Sequence, residues 1–510
     1  MRLLPSILVG MCLVPLVAAA APAAESARPN ILVVFSDDHA EQAISAYGSR
    51  VNVTPHLDRL AAAGARFTNS FVTNSICSPS RATLLTGQYS HVNGVPVFNP
   101  FDGSRNHVAK LLRAAGYHTG VVGKWHLGSD PTGFDRWIVL PGQGDYRDPQ
   151  FVVPGHTLSI RGHATEVITD LAIEFLKTRP ADKPFFLMLH HKAPHRDWQP
   201  EDRHAARFTD AEIPEPATLR DDYATRPAAL PENRQTIVRD LTPADLKREP
   251  PAGLAGDDLL QWKYRRFMQD YLACVQGIDD SVGRVLDHLE STGLAANTVV
   301  VYTTDNGWFM GEHGLYDKRF MYEPGLRVPL IARGPGIRAG GTPAAFVANI
   351  DLAPTFLALA GLPVPDWMQG RSLVPLLRGE PPVDWRTSVY YRYYHDPGNH
   401  ATRAHYGVRT ATHKLIHYWR KDAWELFDLV ADPHELHNLL FDPAEAAQPD
   451  VAGKFVELKA EIVKLQTHYG DDGRFADPAT LPKDGVAGDR SGTTPLGVKT
   501  VAEALAAAAG

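Results

Sequence analysis

The stretch "NILVVFSDDH" (residues 30–39) decides how the rest of the chain is read. It is apolar from Ile31 to Phe35, then breaks into Ser36, Asp37, Asp38 and His39. A continuous apolar run of this length predicts a strand covered on both faces, as in a parallel sheet. Three further stretches share the design: "HTGVVGKWHLG" (118–128), "PFFLMLHHKAPH" (184–195) and "NTVVVYTTDNG" (297–307). Helical patterns lie between them. "TPHLDRLAAAGARF" (54–67) has Thr54 at an N-cap, Pro55 at the first helical position and Gly64 at the stop. "SRNHVAKLLRAAGYHTG" (104–120) ends in the same way at Gly116. Strands alternating with helices predict an α/β fold with a mostly parallel sheet flanked by helices. In such folds active sites gather at the carboxyl ends of strands. Here those ends carry Asp37, Asp38, Lys124, His126, His195, Asp305 and Asn306.

The composition of the 510 residues is that of a globular protein, 44% hydrophobic and 21% charged. The formal net charge is −7, with no Lys/Arg block, which argues against a nucleic-acid partner. Residues 1–24 combine Arg2, a short apolar stretch and small residues around Ala18–Ala20. They read as a signal peptide, so the expected location is periplasmic or secreted, without stable membrane insertion. Residues 28–380 are expected to form the main domain and 381–470 a smaller α+β domain with an antiparallel sheet, from runs such as "TSVYYRYYH" and "AWELFDLVADPHELHNL". Residues 200–260 read as a surface insertion and 471–510 as an extended tail. Cys274 falls in a helical apolar pattern and reads as a buried thiol.

Asp37–Asp38 and Asp305–Asn306 end two separate strands and together offer four side-chain oxygen donors. Hard oxygens suit Ca²⁺ or Mg²⁺ rather than zinc. Lys124 and His126 are two apart and face one side of an extended segment. With Arg81, His195 and Lys318 they form a set suited to an oxyanion, phosphate or sulfate.

Cys77 opens "CSPSRATLLTG" (77–87), where Pro79 predicts the first turn of a helix. A helix N-terminus and Arg81 one turn on would lower the thiol pKa, so a thiolate nucleophile is one reading. An oxygen function at this position fits a hard-metal site better, since soft sulfur is a weak partner for Ca²⁺.

"CSPSRATLLTG" matches the Cys-x-Pro-Ser-Arg-x-x-x-x-Thr-Gly signature and resembles the formylglycine-dependent type I sulfatases. "SDDH", "GKWHLG", "APH", "TTDNG" and "DKRFMYEPGLRVPLI" resemble further blocks of that family in its order, over about residues 28–470. The resemblance implies the alkaline-phosphatase-like fold and oxidation of Cys77 to Cα-formylglycine by a maturation enzyme. It implies Ca²⁺ held by Asp37, Asp38, Asp305 and Asn306 with the modified Cys77, and Arg81 orienting the formylglycine hydrate. Lys124 and Lys318 would hold sulfate, His126 would assist sulfate release, and His195 would bind sulfate and protonate the leaving alcohol. Several blocks look closest to carbohydrate sulfatases acting on N-acetylglucosamine 6-sulfate in glycosaminoglycans or mucins. Candidates for reading the sugar are His191, Arg196, His400, Arg403 and His405. The alternatives are a phosphonate or phosphate ester hydrolase of the same superfamily and, remotely, a non-catalytic glycan-binding protein.

Overall fold

The computed structural model describes residues 28–485, 494–498 and 500–508. The segment read as a signal peptide, 1–24, lies outside the described residues.

Ten strands form one mixed sheet. They are β1 (Asn30–Ser36), β2 (Ala65–Arg66), β3 (His118–Lys124), β4 (Arg136–Leu140), β5 (Gln150–Val153), β6 (His156–Ser159), β7 (Phe185–His190), β8 (Thr298–Thr304), β9 (Leu330–Arg333) and, from the C-terminus, β14 (Thr494–Val498). The order across the sheet is β14-β6-β5-β4-β3-β7-β1-β8-β9-β2. The centre, β4-β3-β7-β1-β8, is parallel, and the strands quoted above occupy four of its five positions. In β1 the side chains alternate between two cores. Leu32 and Val34 join helices α1 (Pro55–Ala62), α4 (Ala164–Thr178) and α5 (Gly256–Ser291). Ile31, Val33 and Phe35 join α2 (Cys77–Thr86) and α3 (Val108–Ala114). All five are 1% exposed or less, so an Ile31→Ala cavity would cost about 2–5 kcal/mol.

Helix α1 begins at Pro55 as expected, but the Thr54 hydroxyl does not cap it. That hydroxyl is engaged with Ser45, and Asp279 of α5 takes the His56 and Leu57 amides instead, at 3.1 and 2.8 Å. Cys274 is buried in α5.

Beyond the main sheet, β10 (Ser388–Tyr393), β11 (His405–Thr410), β12 (His413–Tyr418) and β13 (Ala423–Asp428) form an antiparallel sheet in chain order, with helix α6 (Pro449–Tyr469) against it. Its core continues into Phe320, Tyr322 and Leu326, which locks this sheet beside the loops after β8. The reading of 471–510 as an extended tail is corrected by the structure. Strand β14 pairs with β6, and helix α7 (Val501–Ala507) buries Ala504 and Leu505 against the main core. Its two apolar turns were too short to stand out beside the Gly/Pro-rich stretch before them. Among the described residues no helix is long and apolar enough to cross a membrane.

Candidate active site

The carboxyl ends of β1, β3 and β8 and the first turn of α2 converge. Cys77 is the first residue of α2, after extended Ile76, and every residue of this helix is buried. Gly87, at φ 63°, ends it in the left-handed conformation. Gly123, at φ 97°, lets β3 close on β7, because a side chain there would strike the His190 carbonyl. That places Lys124 at the cluster. Asp38 and His126 also have left-handed backbone, φ 66° and 54°, which is uncommon for such residues and aims both side chains away from their strands' regular directions.

Carboxylate oxygens of Asp37, Asp38 and Asp305 lie within 4.8 Å of one another, all buried. Asn306 Nδ2 donates to Asp38 Oδ1 at 3.0 Å and Asp305 Oδ1 at 2.8 Å, while its Oδ1 is buried with no hydrogen-bond partner. Cys77 Sγ is 3.5 Å from Asp37 Oδ1, 3.7 Å from Asn306 Nδ2 and 3.3 Å from Lys318 Nζ. Lys318 Nζ reaches both Asp38 oxygens at 2.5 Å, and Lys124 Nζ pairs closely with Asp37 and donates to Gln143 at 2.6 Å. Arg81 holds Asp305 through Nε at 3.0 Å and Nη2 at 2.8 Å. His195 Nε2 is 3.7 Å from Asp38 Oδ2, and its Nδ1 donates to the Arg196 carbonyl at 2.6 Å. His126 Nδ1 is 3.4 Å from Ser78 Oγ.

Burial and charge divide these groups. Burial raises Asp38 to about 8, against Lys318 and with the Asp37 and Asp305 charges. Burial also raises Asp305. Burial pushes Asp37 up too, but Lys124, His195 and Arg81 outweigh it and hold the carboxyl well below its usual range. Burial, helped by Lys124, holds His126 and His195 well below the ordinary imidazole value. The Cys77 thiol is pushed up, by burial and then by Asp37. This corrects the expectation that helix and cations would lower it, because desolvation and a carboxylate 3.5 Å away outweigh them. A thiolate nucleophile is therefore disfavoured. Three carboxylates, an orphaned amide oxygen and raised Asp38 and Asp305 are the surroundings a hard cation would satisfy.

The sugar-reading candidates separate. His191 is wholly buried, 2.9 Å from Ser281 of α5, and faces the core. His405 is wholly buried, accepts the Met321 amide at 3.2 Å and stacks on Phe320 and Tyr391. Both are core histidines, and these two expectations are corrected: neutral imidazoles fit an apolar strand end without leaving it for solvent. Arg196, His400 and Arg403 lie outside the core but are spoken for. Arg196 is bidentate to Asp245 at 2.6 and 2.8 Å, His400 lies between Asp240 and Asp317, and Arg403 pairs with Glu232 at 2.8 Å. The residues missed from sequence are Gln143, Arg319, Tyr393 and His395. Arg319 Nε, Tyr393 Oη and His395 Nδ1 are buried and make no hydrogen bond within normal geometry among the described residues, although Arg319 Nη1 pairs with Asp317 at 2.8 Å and its guanidinium lies beside the Tyr393 hydroxyl. Arg319 follows Lys318, and Tyr393 and His395 sit at the end of β10, with rings 6.1 Å apart. The aromatic run 390–395 was the only signal for them.

The family model described as Sulfatase matches residues 29–362, and one described as N-sulphoglucosamine sulphohydrolase, C-terminal, matches 311–466. An N-acetylglucosamine-6-O-sulfatase of Bacteroides thetaiotaomicron is 43% identical, over 88% of each chain. Human N-acetylglucosamine-6-sulfatase is 30% identical, over 73% of this chain and 68% of the other. A solved structure in complex with its substrate D-glucosamine-2-N,6-O-disulfate superposes with a TM-score of 0.84 at 43% identity, covering 87% of this chain and 99% of that one. A phosphonate monoester hydrolase of Agrobacterium radiobacter shares the fold, with a TM-score of 0.70 at 23% identity. With the signature at the head of α2 and the acidic and basic groups gathered around Cys77, the chain belongs to the sulfatase family, hydrolases of sulfuric esters with the alkaline-phosphatase-like fold.

Proposed function

We propose that this protein removes the 6-sulfate of an N-acetylglucosamine-type sugar in a sulfated glycan, as an exported enzyme. The observation that carries the chemistry is Cys77 seated 3.5 Å from Asp37 and 3.3 Å from Lys318, inside one buried set of carboxylates and cations. The substrate is proposed from the relatives, N-acetylglucosamine 6-sulfatases at 43% and 30% identity.

Asp37, Asp38, Asp305 and Asn306 would hold the cation, proposed as Ca²⁺, which supplies Lewis-acid polarisation of a sulfate oxygen. Residue 77, once oxidised to formylglycine by a maturation enzyme, would supply a hydrated aldehyde whose two hydroxyls serve for attack at sulfur and for expulsion of sulfate. Lys124 and Lys318 would neutralise the sulfate oxygens in a low-dielectric site, where fixed charge is most effective. Arg81, locked on Asp305, would orient residue 77. With His195 Nδ1 committed to the Arg196 carbonyl, Nε2 is left to exchange a proton at the ester oxygen. His126, neutral in its buried setting, would take the proton that sulfate release requires. The sugar would lie at His395, the most exposed of the three, with Arg319 and Tyr393 packed behind it as the groups it would reach next.

The test is sulfate release from defined sulfated mono- and disaccharides by protein in which residue 77 is converted. Release from 6-sulfated N-acetylglucosamine above other positions is expected. Turnover of phosphate or phosphonate esters alone would contradict the proposal.

A further inference from the structure

One stretch of chain, 471–485, passes along the C-terminal sheet and reaches Phe98, beside His126. After α6, Asp471 takes the Tyr390 hydroxyl at 2.7 Å and pairs closely with Arg392. The Arg474 and Ala476 carbonyls accept from Arg392 and Trp419, both at 3.0 Å. The chain then meets Phe98. The Phe98 amide donates to Asp484 Oδ1 at 3.2 Å, and the Gly485 amide donates to the Phe98 carbonyl at 2.9 Å. The Phe98 ring stands edge-on to His126, with centroids 5.8 Å apart, and 6.1 Å from His395. His395 Nε2 is 3.3 Å from the same Asp484 oxygen. Asp484 is therefore fixed by a backbone amide and an imidazole, yet its side chain is 54% exposed. It makes no lysine or arginine pair among the described residues. Burial holds His395 below the ordinary imidazole value, which leaves the carboxylate charge uncompensated at neutral pH.

We propose that Asp484 is a charge filter on the sugar: it disfavours a second sulfate, such as one on the sugar nitrogen, and favours an N-acetylated or free amino sugar. This rests on the 6-sulfate reading above. The Phe98 ring stands between His126 of the Cys77 cluster and His395, so a sugar held by its sulfate near Cys77 and Lys318 would meet the edge made by Phe98, His395 and Asp484 with its remaining substituents. A fixed carboxylate at a half-exposed rim repels a second anion and leaves a neutral acetamide unaffected. The solved relative that takes glucosamine-2-N,6-O-disulfate makes that compound the informative probe.

The experiment measures kcat/KM on N-acetylglucosamine 6-sulfate and on glucosamine-2-N,6-O-disulfate, for the wild type and Asp484→Asn, at low and high salt. Asparagine keeps an oxygen for the Phe98 amide, so the tail keeps its seat. The disulfate-to-N-acetyl ratio should rise by about threefold to tenfold in Asp484→Asn, and the rise should shrink in salt. An unchanged ratio, or an equal loss on both sugars, overturns the filter and leaves Asp484 a structural tie. Wild-type protein that cleaves nitrophenyl sulfate but neither sugar overturns the 6-sulfate reading itself, and the filter with it.

Discussion

The proposed sulfate end of the site and its proposed sugar end are built in different ways. Around Cys77, each charged group sits on the last residue of a strand, the second turn of a helix or a short loop beside them, and is packed among its partners. The sugar end is assembled from residue 319, the end of β10, the loop at Phe98 and the segment at Asp484, which are far apart in sequence. Three of its polar atoms, Arg319 Nε, Tyr393 Oη and His395 Nδ1, have no hydrogen-bond partner among the described residues. A group common to all substrates can be met by a pre-paired, rigid cluster, whereas a group that differs between substrates leaves donors and acceptors waiting. The predictions below act on one end and leave the other as control.

The largest effect should come from the nucleophile position. Cys77→Ala is expected to lower kcat on every sulfate ester by on the order of 10⁴-fold or more. Thermal unfolding should barely move, since one small side chain is lost. Near-wild-type turnover on nitrophenyl sulfate would break the assignment of the sulfate end.

His195 sits where the two ends meet. A sugar alkoxide leaves poorly without a proton, whereas nitrophenolate hardly needs one. His195→Ala should therefore cost about 10²–10⁴-fold on a sugar sulfate and much less on nitrophenyl sulfate. The ratio between substrates cancels incomplete conversion of residue 77. Equal losses would make His195 a sulfate ligand only.

A smaller and graded effect concerns pH. Without metal, buried Asp38 titrates at about 8 rather than near its ordinary value of 3.8. The folded state then holds a proton that the unfolded chain releases, so metal-free stability falls as pH rises from about 4 to 8. A cation must displace that proton, so its apparent affinity should weaken by up to about tenfold per pH unit below 8. Calcium titration at pH 6, 7, 8 and 9, with unfolding scans at each, reads both slopes. Affinity independent of pH would show that Asp38 is already ionised.

The same contrast explains what the sequence revealed. The main sheet was legible because "NILVVFSDDH", "HTGVVGKWHLG" and "NTVVVYTTDNG" are continuous apolar strands that end in polar residues, and their ends coincide with the site. The cluster at Cys77 was legible because its residues sit in short local motifs. The proposed sugar end was not, since histidines in a row of aromatics look alike whether they face solvent or core. His405 turns inward on β11, whereas His395, just past β10, lies at the rim. Only the pairing of β10 with β11, and the segment passing Phe98, separates them. The tail was misread for a related reason: its strand gains partners only from the far edge of the sheet.

The most direct test of this division sets Lys318→Ala against Tyr393→Phe, each on N-acetylglucosamine 6-sulfate and nitrophenyl sulfate. Lys318 touches Asp38 and Cys77, so its loss should lower kcat/KM on both substrates by the same factor. The Tyr393 hydroxyl makes no hydrogen bond within normal geometry among the described residues and has only the Arg319 guanidinium beside it, so removing it should change stability little. It should lower kcat/KM on the sugar alone, by about fivefold to tenfold, the worth of one hydrogen bond. Tyr393→Phe impairing both substrates equally, or neither, would contradict the account.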